Sequence, residues 1–283
     1  MLYVCATPIG NLGDLTPRVL DALRTVDLVA AEDTRRTRKL LSACGVHAAL
    51  TSFFAHNEVE KTAAVLELLR EGKDVALVTD AGTPGVSDPG ARLVAAAAGE
   101  GLPLTVLPGP SAVTTALVVA GLAGDEGFRF AGFLPRRGAD LRAAVASWRR
   151  HGGVVVAFES GRRLARSLGV LSEVVPAAPA AVCRELTKVH EEVVRATVEK
   201  LALRFAAGAK GEVTLVLDLG PARPDDEVGE ERVRAAAASL LDRGLSRRDA
   251  AAALTVCLGM RQNEAKRVVA VCDRPAVRSP RRP

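Results

Sequence analysis

Short apolar runs rich in Val, Leu and Ala alternate along the chain with longer stretches in which apolar residues return every three or four positions. Runs of the first kind fit buried strands, and the second kind fits amphipathic helices. Strands are predicted at residues 2–6, 28–31, 75–79 and 104–107. Helices are predicted at 16–26, 57–70 and 89–98, and in the second of these Val59, Ala63, Leu66 and Leu69 mark the apolar stripe. A second set begins near residue 129, with strands at 130–133, 154–158, 181–184 and 212–218 and helices at 140–150 and 162–174. This alternation implies βα units around largely parallel sheets, an α/β fold. The glycine-rich stretch 120–127 reads as a hinge, giving α/β domains over 1–122 and 123–220. After Gly220 the texture changes to a polar linker, residues 221–231, and three helical segments at 231–242, 246–258 and 262–272. Ser246 is a natural N-cap for the second segment, and Gly259 separates it from the third. The pair fits either a helix-turn-helix or a plain helical cap. Residues 221–274 are thus a helical extension, and 275–283, with Arg278, Arg281 and Arg282, a disordered basic tail.

Composition narrows the class. The chain has 283 residues, too many for one average domain, and its 48% apolar and 25% charged fractions exclude a disordered or fibrous protein. Aromatics are only 3%, so Ala, Val and Leu must fill the interior. Residues 101–124 carry no charge and are long enough to span a bilayer, but Pro103, Pro108 and Pro110 with Gly101, Gly109, Gly121 and Gly124 cut them into a strand, a tight turn and a helix. No membrane association is expected, and the N-terminus lacks the basic region of a secretory signal. Five cysteines, widely spaced and without a C-x-x-C pair, argue against a disulfide framework or a zinc module, so no metal is expected and a reducing cytoplasm fits best.

Charge is uneven. Residues 1–122 hold 10 Lys/Arg against 13 Asp/Glu, residues 123–222 hold 15 against 11, and residues 223–283 hold 13 against 9. A basic second half suits a polyanion such as RNA, although an Arg-rich composition alone would produce the same excess.

Candidate chemistry sits where predicted strands end. Three such ends are rich in Gly and Pro: TPIGNLGD at 7–14, DAGTPGVSDPG at 80–90 and PGPS at 108–111. In open α/β sheets ligands bind at the carboxyl ends of strands, and glycine lets a ligand approach the backbone. Turn formation explains any one of these loops; three in succession point to a nucleotide-like site. Neither G-x-G-x-x-G nor G-x-x-x-x-G-K-[ST] is present, which leaves out the dinucleotide and P-loop phosphate sites. Few lysines flank the loops, so a cationic or zwitterionic adenosine ligand fits better than a triphosphate.

With AEDTR at 31–35, GFLP at 132–135, RELTK at 184–188 and KGE at 210–212, these motifs in their order resemble the bacterial 16S ribosomal RNA cytidine 2′-O-methyltransferases, the small-subunit methyltransferase I branch of the tetrapyrrole-methylase superfamily. The resemblance covers residues 1 to about 220, and the helical extension is similar to that of the same enzymes. It implies two α/β domains of the tetrapyrrole-methylase type with S-adenosylmethionine in the cleft between them, S-adenosylhomocysteine as product, a homodimer, and a decoding-centre cytidine of 16S rRNA in the 30S subunit as substrate. It further implies cofactor contacts from Pro8, from Asp80, Ala81, Gly82, Thr83 and Val86, from Ser111 and Ala112, and from Glu159 and Leu186. One departure is the segment Glu159-Ser160-Gly161-Arg162-Arg163, where an extra basic residue leaves open which Arg faces the cleft.

A ribose hydroxyl is a poor nucleophile and calls for a general base. Candidate catalytic residues are Asp33, beside Glu32 and Arg35, and His56, beside Asn57 and Glu58, together with Glu185 and Lys188. Each has a plainer alternative: Asp33 and His56 as helix-start residues, Lys188 and Arg35 as surface ion-pair partners. RNA contacts are sought at Arg136, Arg137, Arg149, Arg150, Arg162 and Arg163, and on the terminal helices at Arg247, Arg248, Lys266 and Arg267. Two rival readings are a precorrin-type methylase acting on a tetrapyrrole carbon and a non-catalytic nucleic-acid-binding protein.

Overall fold

A computed structural model describes residues 1–124, 127–222, 230–258, 260 and 262–272. Most of the polar linker, the basic tail, Gly259 and the middle of the hinge lie outside these residues. Contacts divide the chain into two compact units, Met1–Ala222 and Arg223–Pro283.

The first unit contains two five-stranded sheets. Strands β1 (Leu2–Cys5), β2 (Leu28–Ala31), β3 (Leu50–Ser52), β4 (Val75–Val78) and β5 (Leu104–Leu107) form an all-parallel sheet in the order β3-β2-β4-β1-β5. Strand β4 is buried at every position, which is why its sequence is wholly apolar. Alternate residues feed opposite faces. Leu2, Val4 and Leu77 join Leu66, Leu69 and Leu93 of helices α3 (Glu58–Arg70) and α4 (Ala91–Gly99). On the other face, Cys5, Ala76 and Val78 join Val19, Leu23 and Leu41 of α1 (Pro17–Thr25) and α2 (Thr34–Ala43). Helix α1 starts where its sequence says it should: Thr16 accepts the Val19 N–H and Pro17 occupies the first turn.

The second sheet comprises β6 (Phe128–Phe133), β7 (Val154–Ser160), β8 (Pro179–Arg184), β9 (Glu192–Thr197) and β10 (Glu212–Asp218), ordered β6-β7-β10-β8-β9. Only β6 and β7 are parallel; β10 runs antiparallel to both neighbours and β9 antiparallel to β8. The expectation of largely parallel sheets therefore fails here. Burial patterning reports that a strand has a covered face, not which way its neighbour runs. Helices α6 (Gly138–His151), α7 (Gly161–Val174) and α8 (Val198–Arg204) cover one face through Leu141, Leu164, Leu168 and Leu201. The other face is covered by α5 (Ala112–Ala120), whose Val113, Ala116 and Ala120 pack on Val156, Ala181 and Val216. The Arg195 guanidinium of β9 donates to the carbonyls of Val119 and Ala120 at the end of α5. A helix that the sequence groups with the first half thus lies on the second sheet and ties the halves together.

The second unit contains α9 (Glu230–Asp242), α10 (Arg247–Leu258) and α11 (Gln262–Val271), joined through Val233, Ala237, Leu254, Ala265 and Val269. The Ser246 hydroxyl accepts the Asp249 N–H at 3.1 Å and donates to the Asp249 carboxylate at 2.6 Å, a capping pair that starts α10 as expected. Among the described residues no helix is long and apolar enough to cross a membrane.

Candidate cofactor cleft and active site

The strand order places β1 between β4 and β5, so the three Gly/Pro-rich loops leave the sheet side by side. They are stitched together by backbone. Thr7 and Gly82 exchange N–H···O bonds of 2.9 and 3.0 Å, and the buried Thr7 hydroxyl donates to the Thr79 carbonyl at 3.0 Å. Gly82 sits at φ +79, a left-handed conformation that suits glycine. Opposite them, the second sheet presents the ends of β6, β7 and β8 and the start of β10. The cleft so formed encloses about 890 Å³, counting its open mouth, within the range of small-molecule sites.

Of the sequence-predicted contacts, Ala81, Gly82, Thr83 and Val86 line the cleft from the loop after β4, and Ser111 and Ala112 from the start of α5. Glu159, Leu186 and Lys188 line it from the second sheet. Pro8, Asp80, Asp33, His56 and Glu185 lie outside this lining. Pro8 and Asp80 belong to the same strand-end loops and Asp33 to the turn after β2, whereas His56 is exposed on the turn before α3, its ring 6.3 Å from that of Phe54. Sequence reasoning missed Ile9, Asp88, Phe133, Phe158, Cys183 and Glu212, which also line the cleft. Ile9, Asp88, Phe133 and Glu212 stand inside motifs already singled out, and Phe158 directly precedes Glu159. Cys183 carries no such signal, reading as an ordinary core position of a strand.

The floor of the cleft is acidic. Burial pushes the Asp88 carboxyl up to about 7, with the nearby charges of Glu32 and Asp80 acting in the same direction. Burial raises Asp80 and Glu32 as well, and the Glu32 carboxylate accepts the Asp80 N–H at 3.1 Å. Arg36 meets Asp80 at 3.1 Å through Oδ2, while Oδ1 is buried with no hydrogen-bond partner among the described residues. The walls are apolar, supplied by Ile9, Ala81, Val113, Phe158 and Leu186. A ligand with a flat ring and a cationic end fits this lining: the ring against the walls, the cation toward Asp88, which has the charges of Glu32 and Asp80 nearby.

Other candidates have different surroundings. Asp33 is the N-cap of α2, accepting the Arg35 N–H at 2.8 Å and pairing with its guanidinium at 2.8 Å. These contacts hold its carboxyl far below the usual range. Lys188 Nζ lies 3.0 Å from Glu185 and 2.7 Å from Glu212. Burial alone would lower its pKa, but the two carboxylates outweigh burial and raise it, so the ammonium is a fixed positive charge on the wall. Glu185 is held below its ordinary value by the Glu212 N–H and by Lys188. Glu159 is buried and accepts from the Ser160 N–H at 2.7 Å, from the Ser167 hydroxyl and from Arg163 at 3.1 Å. Of the two adjacent arginines, Arg163 is therefore the inward one; Arg162 is exposed.

Residues 1–202 match the family of tetrapyrrole (corrin/porphyrin) methylases. The chain is 49% identical over 219 residues, 76% of each chain, to the ribosomal RNA small subunit methyltransferase I of Mycobacterium tuberculosis (strain CDC 1551 / Oshkosh). It is 43% identical over 217 residues to the Thermotoga maritima protein of that name, covering 76% of this chain and 97% of that one. Among solved structures it is similar to uroporphyrin-III C-methyltransferase from Thermus thermophilus complexed with S-adenosylhomocysteine, with a TM-score of 0.53 and 20% identity over 77% of this chain and 96% of that one. That identity speaks to the fold alone. Two α/β sheets facing one cleft, a family match over most of the chain and relatives at nearly half identity agree: the chain belongs to the tetrapyrrole methylase family.

Proposed function

We propose that this protein is a cytoplasmic, homodimeric methyltransferase that uses S-adenosylmethionine to methylate the 2′-hydroxyl of a decoding-centre cytidine in 16S rRNA of the 30S subunit. The observation that carries the reading is the convergence of the three strand-end loops with the second sheet on one acidic-floored, apolar-walled cleft. The small-subunit rRNA names of relatives at 43–49% identity support RNA over a tetrapyrrole as substrate. What S-adenosylmethionine supplies when bound is an electrophilic methyl group on a sulfonium, S-adenosylhomocysteine being the product.

The chain's own residues bind, orient and move a proton. Ala81, Gly82, Thr83, Val86, Ser111, Ala112 and Leu186 shape the adenosine pocket, Pro8 and Asp80 belong to the loops that carry it, and Asp88 faces the cationic end. Glu159, held by three donors, fixes the second-sheet wall. Orienting two reactants accounts for about 7–11 kcal/mol of barrier lowering in well-aligned systems. Lys188, kept charged by Glu185 and Glu212, is placed to meet an RNA phosphate. For the ribose proton the candidates are Asp33, His56 and, from its position on the cleft wall and its proton affinity near neutrality, Asp88.

Methyl transfer to 30S subunits from cells lacking the enzyme, with ribose methylation mapped, tests the reading. A single new 2′-O-methylcytidine is expected. Absence of ribose methylation on both 30S subunits and naked 16S rRNA overturns it.

A further inference from the structure

A second cavity adjoins the cofactor cleft and shares Phe133 and Glu159 with it. Its remaining lining includes Ser160, Arg136, Arg163 and Arg166. The single carboxylate there is already neutralised. Glu159 is bound by Arg163, and the same guanidinium donates at 2.6 Å to the Leu134 carbonyl, pinning the loop after β6 to α7. Arg136 and Arg166 are exposed and pair with no carboxylate among the described residues, so the cavity carries two uncommitted positive charges. Phe133 is 58% exposed, an unusual position for a large aromatic in a chain with so few, and its ring contacts Phe158 edge-on at 5.5 Å.

Two free guanidiniums, an open aromatic face and a hydroxyl match one ligand class, a nucleotide of single-stranded RNA: the base stacks and the phosphates pair. We propose that this cavity holds the nucleotide flanking the methylated residue, with its base on Phe133 and its phosphates on Arg136 and Arg166, so that the reacting ribose is delivered across the shared wall. The assignment rests on the RNA-methyltransferase reading and adds to it where the strand enters.

The test uses the full-length protein with 30S subunits and with a single-stranded fragment of 16S rRNA. For the variant carrying Arg136→Ala and Arg166→Ala, the KM for RNA is expected to rise about 10-fold or more, with the salt dependence of RNA affinity shallower by about 1 per arginine. Affinity for S-adenosylhomocysteine, read by calorimetry, stays at the wild-type value. Phe133→Leu is expected to weaken RNA binding about 10-fold with the salt slope unchanged, as loss of stacking rather than of charge. Arg129→Ala, at the far end of the same strand, removes a charge outside the cavity and is expected to have little effect. If the double variant matches wild type, or Arg129→Ala weakens RNA binding equally, the cavity assignment falls while the function stands. If the wild type itself neither binds nor methylates RNA, the function reading falls first.

Discussion

Arg163, in the first turn of α7, reaches back to Glu159 near the end of β7, guanidinium to carboxylate 3.1 Å, and the Glu159 side chain has no solvent exposure at all. A buried carboxylate without its cation is costly, typically about 3–5 kcal/mol. Arg163→Ala is therefore expected to lower unfolding free energy by about that amount in urea titration. Adding Glu159→Gln to the Arg163→Ala variant should restore much of the loss, because the amide removes the charge and still accepts from Ser160. Equal stability of Arg163→Ala and wild type would show that the pair contributes nothing.

Stability should also vary with pH through Asp88. Its folded pKa is raised to about 7 from an ordinary carboxylate value, so between roughly pH 4 and 7 the folded state binds more protons than the unfolded one. Stability attributable to Asp88 is thus full below about pH 4 and is lost as pH rises through 7. Asp33 and Glu185 have the opposite sign, being depressed, and their contribution is lost only in acid. Denaturation midpoints measured from pH 5 to 8 should fall with pH in wild type and flatten in Asp88→Asn.

The same difference separates the candidate bases. A base titrating near 7 in the free enzyme gives a kcat/KM that climbs to a plateau above neutrality. Asp33, capped and paired with Arg35, is ionised throughout that range and gives no inflection there. Values of kcat/KM from pH 5.5 to 9 should show an inflection near 7 that disappears in Asp88→Asn and persists in Asp33→Asn. An inflection lost instead in His56→Ala would move the role to the α3 turn.

Much of this was legible in the chain. The three loops announced the cleft because glycine and proline at strand ends are local signals, and β10 at Glu212–Asp218 matches the span predicted from its apolar run. Strand β9 escaped notice because Glu192 and Arg195 interrupt its apolar positions, and β3 because it is only three residues long. The proton affinity of Asp88 could not be read from sequence at all. It depends first on burial, and then on Glu32 and Asp80, which approach because β2 and β4 are neighbours in the sheet. For the same reason the sequence does not tell which sheet α5 covers: its apolar residues show that it is covered, and only tertiary structure shows by what.

The closest test of the cleft's construction is Gly10. A Cβ there would lie 2.4 Å from Lys188 Cγ, 2.9 Å from Thr187 Oγ1 and 3.0 Å from the Leu186 carbonyl, so the loop after β1 and the segment after β8 touch with no space between them. The opposing segment has little freedom to yield. Glu185 and Thr187 already sit at φ +52 and +65, an uncommon region for residues with a Cβ, and Lys188 is tethered to two carboxylates. Gly10→Ala must therefore displace the wall that carries Leu186 and Lys188. The expected result is a stability loss of about 1–3 kcal/mol, as for other overpacked sites, together with weaker S-adenosylmethionine binding by calorimetry. Gly99→Ala is the control, since its Cβ meets nothing within 4 Å at the end of α4 and should leave binding untouched. Wild-type cofactor affinity in Gly10→Ala would mean that the two loops do not build the site together.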